Sequence, residues 1–517
     1  MRKISSLKED PRFESHGSFV SKMMGALELT DVQVDALLNP SNIKCESTLV
    51  LDIVSFIQNS EKLMVCGDYD ADGVCSTSMA IMIANHLGIE DVGYYIPNRF
   101  NDGYGVTKNT VQLAADRGYT DLLLVDNGVK AHAEIALAQS LGMRVAVVDH
   151  HLIETPLEDV LVLHPDLLDD YFSTMSASGL MYLVAESIDF LTNKIKAYGA
   201  LATIADVMPL WGKNREIVLE GIRTLNSHNI LNIDAISKQK NYNSQVLSFS
   251  VIPKINSVGR MADMVNMNTM VQYLLSDDPK LITQYASQIM SIDTIRKQKG
   301  KDAKEVALRK ISGDDLDIII DNDIHEGVLG IVANQVSSAT QKPAILLKES
   351  GEVYKGSGRS NSVSLKDLFD QLDPNYFDAF GGHDFAFGMS IKKGLIHDFI
   401  KDAKDIVTSL SVTPKMSDAI LIDVPLSAAH FKALEVFEPF GEGLKLPAFI
   451  IEKPREYKIV RLNGFGYKYV FDNYWLKDAV YFNNGIGKSE LENARYLEGN
   501  FSLHPKFGLS FQIDVLK

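Results

Sequence analysis

The chain has 517 residues, too many for one ordinary core, so two to four domains are expected. Hydrophobic residues at 46% and charged residues at 23% give a globular composition with ample core material, which excludes wholesale disorder. A formal net charge of -16 excludes a protein that coats nucleic acid through a basic surface, although a carboxylate-lined metal site would itself supply several of those charges.

The N-terminal stretch MRKISSLKEDPRFESHGS mixes both signs of charge without an apolar signal region, and no later run reaches about 18 apolar residues. A soluble, unsecreted protein with no membrane partner is expected. The three cysteines, Cys45, Cys66 and Cys75, form no CxxC or CxxH pair, so neither a disulfide framework nor a zinc knuckle is indicated, and a reducing cytoplasm fits. Residues 1–50 show helical spacing with polar caps. From Lys62, short apolar runs alternate with amphipathic segments: KLMVC, VCSTSMAIMIANHLG, VGYYIP, DLLLV, HAEIALAQSLG and RVAVV. That alternation predicts βαβ units over residues 51–210, hence a parallel sheet covered by helices, with ligands gathered at the carboxyl ends of the strands. Residues 211–315 read as a helical connector. It ends in the segment from Thr294 to Lys310, where seven Lys or Arg stand against two acids; a solvated helix face and a nucleic-acid contact are both open for it. A second α/β unit is expected over residues 316–412, with two glycine clusters, KGSGRS and FGGHDFAFG. Short strands, turns and aromatics over residues 413–517 suggest a small barrel.

Strand KLMVC runs into Asp68, Asp70 and Asp72, three carboxylates within five residues at a strand-to-helix turn. Carboxylates this close raise one another's pKa unless divalent cations, bound through oxygen, compensate. A solvated Asp-rich turn or a calcium loop is the alternative, weakened by the missing closing Glu of an EF-hand. Strand DLLLV ends in Asp126, and RVAVV ends in Asp149, His150 and His151. Taken alone, Asp126 reads as a helix cap and the two histidines as a surface accident. Delivery of acids at the same edge by successive strands points instead to one site, joined by Asp206 after the helix-like AYGALATIA. Mixed Asp and His ligation suits Mn2+ well and Mg2+ less completely.

In this order and spacing, GDYDADG, VDNG, VDHH and ADVMPL resemble the four motifs of the DHH phosphoesterase family, and within it the RecJ-type single-strand-specific exonucleases. PNRFNDGYG, INSVGR, IHEGVLGIVA, KGSGRS, FGGHDFAFG and EPFGEG extend the likeness over residues 60–450. The resemblance implies an α/β architecture: a parallel-sheet DHH domain, a helical connector, a DHH-associated α/β domain and a C-terminal β-barrel resembling the oligonucleotide-binding (OB) fold. It implies two Mn2+ or Mg2+ ions held by Asp70, Asp72, Asp126, His150 and Asp206, with Asp68 and His151 beside them as catalytic candidates. Asp126 is the candidate bridging ligand. His151 suits a phosphate oxygen or a proton transfer, or else only orients a neighbour. Two positions depart from the pattern. Cys66 stands where relatives outside the RecJ branch often carry a metal-binding His, and reads as a small buried residue. Met261 replaces an expected Leu, a near volume-conserving change.

The glycine clusters bring backbone N–H groups close to an anion, and Arg359 and His383 add charge-assisted donors; plain tight turns are the alternative. The resemblance puts Arg99, Arg260, Ser357 and Arg359 near the DNA end, and Asn256 and His383 complete the candidate substrate contacts. Phe465, Tyr467, Tyr469, Phe471 and Tyr474 could stack bases or fill a core. The implied activity is 5′-to-3′ hydrolysis of single-stranded DNA to 5′-mononucleotides, by a monomer serving repair, recombination or phage DNA metabolism, with a single-strand-binding protein or a helicase as protein partner. A DHH-family nuclease for short RNA oligonucleotides fits the long connector and tail less well. A non-catalytic replication scaffold has no need of so costly a charge cluster.

Overall fold

All four residues of Leu63–Cys66 (β1) and all five of Asp121–Val125 (β3) are buried, and so are four of the five in Arg144–Val148 (β4). Burial on both faces is what a parallel sheet between helices demands. With Val92–Tyr95 (β2) and Leu161–Leu163 (β5) these strands form one parallel sheet, in the order β2-β1-β3-β4-β5. The chain runs outward from β1 to β2 and then crosses back to β3, so the order reverses between β1 and β3. A crevice therefore opens beyond the carboxyl ends of these neighbours. The helix Ala71–His86 (α1) is buried along nearly its whole length, against Ala177–Ser187 (α2) and Asn193–Ala205 (α3).

This computed structural model describes residues 2–39, 43–410, 418–462, 466–482, 488–504 and 508–517. The chain divides into two units: Met1–Ile43, Val207–Leu219 and Met416–Lys517 form one, and Lys44–Asp206 with Glu220–Lys415 form the other.

In the larger unit, Ile252–Arg260 (α4) packs on the long helix Pro279–Arg309 (α5). The buried stripe of α5 runs through Ile282, Ala286, Ile289, Asp293, Gly300, Ala303 and Ala307. Lys297, Lys301 and Arg309 lie exposed outside that stripe, as in a solvated face, whereas Arg296 is turned inward with its side chain 13% exposed. A second sheet follows, built from Asp317–Ile320 (β6), Ala344–Ser350 (β7), Val353–Arg359 (β8), Phe377–His383 (β9) and Ala386–Lys392 (β10), in the order β9-β10-β8-β7-β6. Only β6 and β7 pair in parallel. Leu329–Thr340 (α6) covers one face through Val332, Ala333 and Val336, which meet Ala344 and Leu346. Ile345, Leu347, Phe387 and Met389 face an aromatic core with Phe369 and Phe399 on the other. Ser357 pairs across from Leu346, so the strand's period of two sets Lys355, Ser357 and Arg359 on the α6 side.

Among the described residues the smaller unit joins the helices Ser18–Ala26, Asp31–Leu38 and Ala428–Leu434 to one mixed sheet of eight strands, in the order Arg2–Lys3, Ile420–Leu421, Phe449–Glu452, Tyr496–His504, Gly508–Leu516, Asp478–Tyr481, Gly466–Phe471 and Tyr457–Leu462. Among the described residues no pairing joins its two outer strands, so its ladder is open. The C-terminal region is β-rich as expected, but residues 1–50 are not a separate helical piece up to Ile43. Phe13, Met23 and Met24 fill the same core as Phe437, Tyr469 and Phe511. A stretch so short cannot enclose a core of its own. Tyr467, Tyr469 and Phe471 alternate along one strand and pack on this core, as does Tyr474, so base stacking is not the evident use of any of them; Phe465 lies outside the described residues. EPFGEG also has a structural task, since the Arg215 guanidinium donates to the carbonyls of Phe437 at 2.9 Å and Pro439 at 3.2 Å. It fastens the Val207–Leu219 crossing within this unit. No described helix is long and apolar enough to cross a membrane.

Candidate active site

The acids at the strand ends converge. Asp70 caps α1, its Oδ1 accepting from the backbone nitrogens of Asp72 at 2.9 Å and Gly73 at 3.0 Å. Asp72, the second residue of the helix, points toward the N-terminus of α2. There it accepts from Ala177 N at 2.8 Å, Ser178 N at 2.9 Å and Ser176 Oγ at 3.1 Å. Asp126, at the end of β3, holds a left-handed backbone with φ 60°. His150, after β4, places Nε2 3.3 Å from a carboxylate oxygen of Asp126 and 3.3 Å from one of Asp206, and 3.9 Å from Asp72. Potential ligand atoms fall into overlapping groups: Asp68, Asp70 and Asp126; Asp72, His150 and Asp206; and Asp126, His150 and His151. Asp126 belongs to two of them, which is the placement a shared ligand needs.

The charges are out of balance without cations. Burial first, and then repulsion from neighbouring carboxylates, pushes Asp68, Asp70 and Asp126 above the ordinary range and Asp206 up to about 9. Asp68 Oδ1 and Asp206 Oδ2 are buried without a hydrogen-bond partner. Orphaned anionic oxygens grouped with an imidazole are the donor set of divalent ions, so the residues fit the Mn2+ or Mg2+ expected of them.

His151 is held differently. Its Nδ1 lies 2.8 Å from Asp149 Oδ1, and its backbone carbonyl accepts from Nε2 of the buried His164 at 2.9 Å. Burial disfavours the charged ring, but the Asp149 carboxylate more than offsets this and holds His151 above its usual value. Asp149 itself falls to about 2 against the opposing effect of its own burial, because His151 and backbone donors surround it. Its remaining oxygen accepts from Val129 N at 3.1 Å, tying the loops after β3 and β4 together.

Cations line the neighbouring surface of the same unit. The Arg99 guanidinium sits over the Tyr69 ring, 5.2 Å from its centroid, and Tyr69 lies between Asp68 and Asp70. Arg359 donates from Nη1 to Ser357 Oγ at 2.9 Å, and Arg260 reaches only the carbonyl of Gly327 at 3.5 Å. Among the described residues none of Arg99, Arg260 and Arg359 has an ion-pair partner. Burial, then repulsion from Arg99, Arg296 and Arg359, lowers Arg260 to about 10. Like charges gathered half-buried and unpaired require an anion. Asn256, one turn before Arg260 on α4, leaves its Oδ1 buried and unpartnered on the same side. A methyl group added at Gly330 would lie 3.0 Å from both Arg359 Nη2 and Ser357 Oγ, so the absent side chain keeps this corner open. His383 ends β9, and its side chain lies outside those described.

Comparison with known proteins gives this geometry its kinship. The pattern of the DHH family, N-terminal domain, matches residues 62–209, and that of the DHHA1 domain matches residues 304–409. The single-stranded-DNA-specific exonuclease RecJ of Salmonella typhimurium is 30% identical over 432 residues, spanning 75% of this chain and 74% of that protein. The chain belongs to the RecJ family. Among solved structures, exonuclease RecJ bound to manganese aligns with a TM-score of 0.61 at 25% identity, over 72% of this chain and 97% of that one. RecJ from Thermus thermophilus in complex with Mn2+ shares the fold with a TM-score of 0.77 at 22% identity, over 96% of this chain and 77% of that one.

Several residues that shape this RecJ-family site were not singled out from the sequence. Tyr104 donates to the carbonyl of Asp126 at 2.8 Å and lies 3.1 Å from His151 Nε2. Asn127 donates to the Cys66 carbonyl at 3.1 Å and accepts from Val106 N at 3.1 Å, stapling the ends of β1 and β3 to the loop behind Arg99. Cys66 itself is a buried core residue, its thiol pushed up to about 12 by burial. For Tyr104 and Asn127 a signal existed, since both sit inside quoted motifs. For Ser176, Ser178 and His164 none did.

Proposed function

We propose that this protein is a metal-dependent exonuclease that degrades single-stranded DNA from 5′ to 3′, releasing 5′-mononucleotides. One observation carries the reading: two candidate ligand groups, one of carboxylates alone and one of a carboxylate with two imidazoles, share Asp126 in the unit that also presents three unpaired guanidiniums. Carboxylates that demand cations and arginines that demand anions together describe a phosphodiester site. The kinship with single-stranded-DNA-specific exonucleases supplies the substrate class.

In this reading Asp70, Asp72, Asp126, His150 and Asp206, with Asp68 beside them, would hold two divalent ions. When bound, such ions make a water nucleophilic at neutral pH and offset negative charge developing on the phosphoryl oxygens. The remaining steps belong to side chains. Asp149 holds His151 through Nδ1, which leaves Nε2, beside the Tyr104 hydroxyl, to contact a phosphate oxygen or take part in a proton transfer. Tyr104 fixes the Asp126 carbonyl and the His151 ring relative to one another. Arg359, Ser357, Arg99 and Arg260 hold the terminal phosphate, which sets the distance from strand end to scissile bond and so yields one nucleotide per cut. The strand is the partner this surface asks for. We further place the protein in the cytoplasm as a monomer, working beside a single-strand-binding protein or a helicase in repair or recombination.

The test is digestion of single strands labelled at either end, with Mn2+, Mg2+ or a chelator. Mononucleotides released first from the 5′ end, only with metal, are expected. Release from the 3′ end, or activity that survives exhaustive chelation, rejects the reading.

A further inference from the structure

Three separate stretches of chain meet at His325. Its Nε2 lies 3.1 Å from both carboxylate oxygens of Asp263, and its Nδ1 accepts from the backbone nitrogen of Gly327 at 3.1 Å. With Nδ1 accepting, the ring proton sits on Nε2 and is donated to Asp263. The ring also stands edge-on to Phe100, with centroids 5.7 Å apart and planes at 77°. His325 is 14% exposed, whereas Asp263 is 46% exposed and belongs to no core.

Each contact borders one of the unpaired arginines. Phe100 follows Arg99 directly in the chain. Asp263 lies in the segment leaving α4, three residues beyond Arg260. Gly327 packs so closely that a Cβ placed on it would come within 1.8 Å of the Arg260 carbonyl oxygen, which no side chain could tolerate. Gly330, one turn further on, abuts Arg359 and Ser357. The segment carrying His325 is itself anchored to the second sheet. Lys348 donates to the carbonyls of Asn322 and Ile324, both at 2.9 Å, and Glu326 pairs with Lys355 at 3.2 Å. Phe100 and Asp263 come from the stretches that carry Arg99 and Arg260, while His325 comes from the domain that carries Arg359. The histidine is therefore a point at which both meet that domain, beside the contact of Arg260 with Gly327.

We propose that His325 is a positioning residue for strand-end recognition, setting the mutual spacing of Arg99, Arg260 and Arg359 through Phe100, Asp263 and Gly327 without touching the DNA. This rests on the reading of those arginines as the terminal-phosphate site. An anion shared by three guanidiniums is sensitive to their separation, so a loosened junction weakens end capture and leaves the metal-lined centre alone.

The experiment measures kcat and KM separately for 5′-phosphorylated and 5′-hydroxyl single strands. Wild type is compared with His325→Ala, Asp263→Ala and Asp263→Asn, each checked for its thermal shift on adding Mn2+. His325→Ala and Asp263→Ala should raise KM for the phosphorylated strand about three- to tenfold, the net worth of one ordinary, partly solvated hydrogen bond, with kcat and the Mn2+ shift unchanged. The hydroxyl strand should respond by less than about twofold, because it offers no terminal phosphate to misplace. Asp263→Asn keeps an acceptor for the Nε2 proton and should behave as wild type. Asp263 is half in solvent, so its alanine variant probes the junction even where His325→Ala fails to fold. An unchanged KM in a folded alanine variant, or an equal fall of kcat on both strands, overturns the proposal. A wild type with no preference for a 5′-phosphate removes the end-site reading beneath it, a result distinct from either.

Discussion

Asp72 Oδ2 accepts a hydrogen bond from the backbone nitrogen of Ala177 at 2.8 Å. Ser178 N and Ser176 Oγ bind its other oxygen, so one carboxylate serves both as a candidate metal ligand and as the cap of a buried helix. Asp72→Ala is expected to abolish hydrolysis and also to destabilise the fold by about 1.5–3 kcal/mol, because buried donors lose a charged acceptor. Urea unfolding of the metal-free protein checks this. A variant as stable as wild type would show that the cap contributes nothing.

Asp126 should separate from Asp72 in the same assay. Its positive φ is a conformation Asn adopts readily, and its carboxylate is repelled by those of Asp72, Asp70, Asp68 and Asp206, so Asp126→Asn should keep the metal-free fold while abolishing turnover. Ligands that bind only the folded state stabilise it by about 2.7 kcal/mol at a hundred times Kd. Wild type should therefore melt at a higher temperature when Mn2+ is added, and Asp126→Asn should respond much less. Equal Mn2+ shifts in both proteins would remove Asp126 from the ligand set.

The Tyr104 hydroxyl touches two partners at the centre without belonging to any ligand group. Tyr104→Phe keeps the ring and deletes only those contacts, so kcat should fall by about three- to tenfold, with the Mn2+ shift retained. Single-turnover rates at saturating strand are the measurement. An undiminished rate leaves the hydroxyl without a part in the reaction.

End recognition makes a sharper demand on Arg359. Charge-assisted contacts contribute about 1.5–3 kcal/mol, so Arg359→Ala should lower efficiency on 5′-phosphorylated strands by about one to two orders of magnitude and on 5′-hydroxyl strands by less. A folding defect would slow both alike. If the preference for the phosphate survives the substitution, Arg359 does not read the end.

The convergence of acids was legible because they follow apolar runs directly, and the parallel sheet brings successive strand ends to one edge. Asp68, Asp70, Asp72, Asp126 and His150 needed only that rule. His164 and Ser178 were not legible. They act through single hydrogen bonds to His151 and Asp72 made across long sequence separations, and isolated polar residues in loops leave no periodic trace. The basic segment of α5 had two readings in sequence, and burial divides them residue by residue: Lys297 and Lys301 face solvent while Arg296 turns toward Arg260. Least visible was the pairing of Arg2 with Ile420, since short parallel strands from opposite ends of a chain share no local signal. The aromatic alternation of Tyr467, Tyr469 and Phe471 was plain, but which face it marked depended on that unseen partner.

The interleaving of the smaller unit also sets a timetable for biosynthesis. Phe13, Met23 and Met24 leave the ribosome almost 500 residues before strands that share their core, such as Gly508–Leu516. At roughly 5–20 residues per second the nascent chain must carry that apolar surface uncovered for tens of seconds, while the parallel sheet and then the second sheet fold between its halves. Until those strands emerge, a holding chaperone has apolar surface to grip at Phe13, Met23 and Met24.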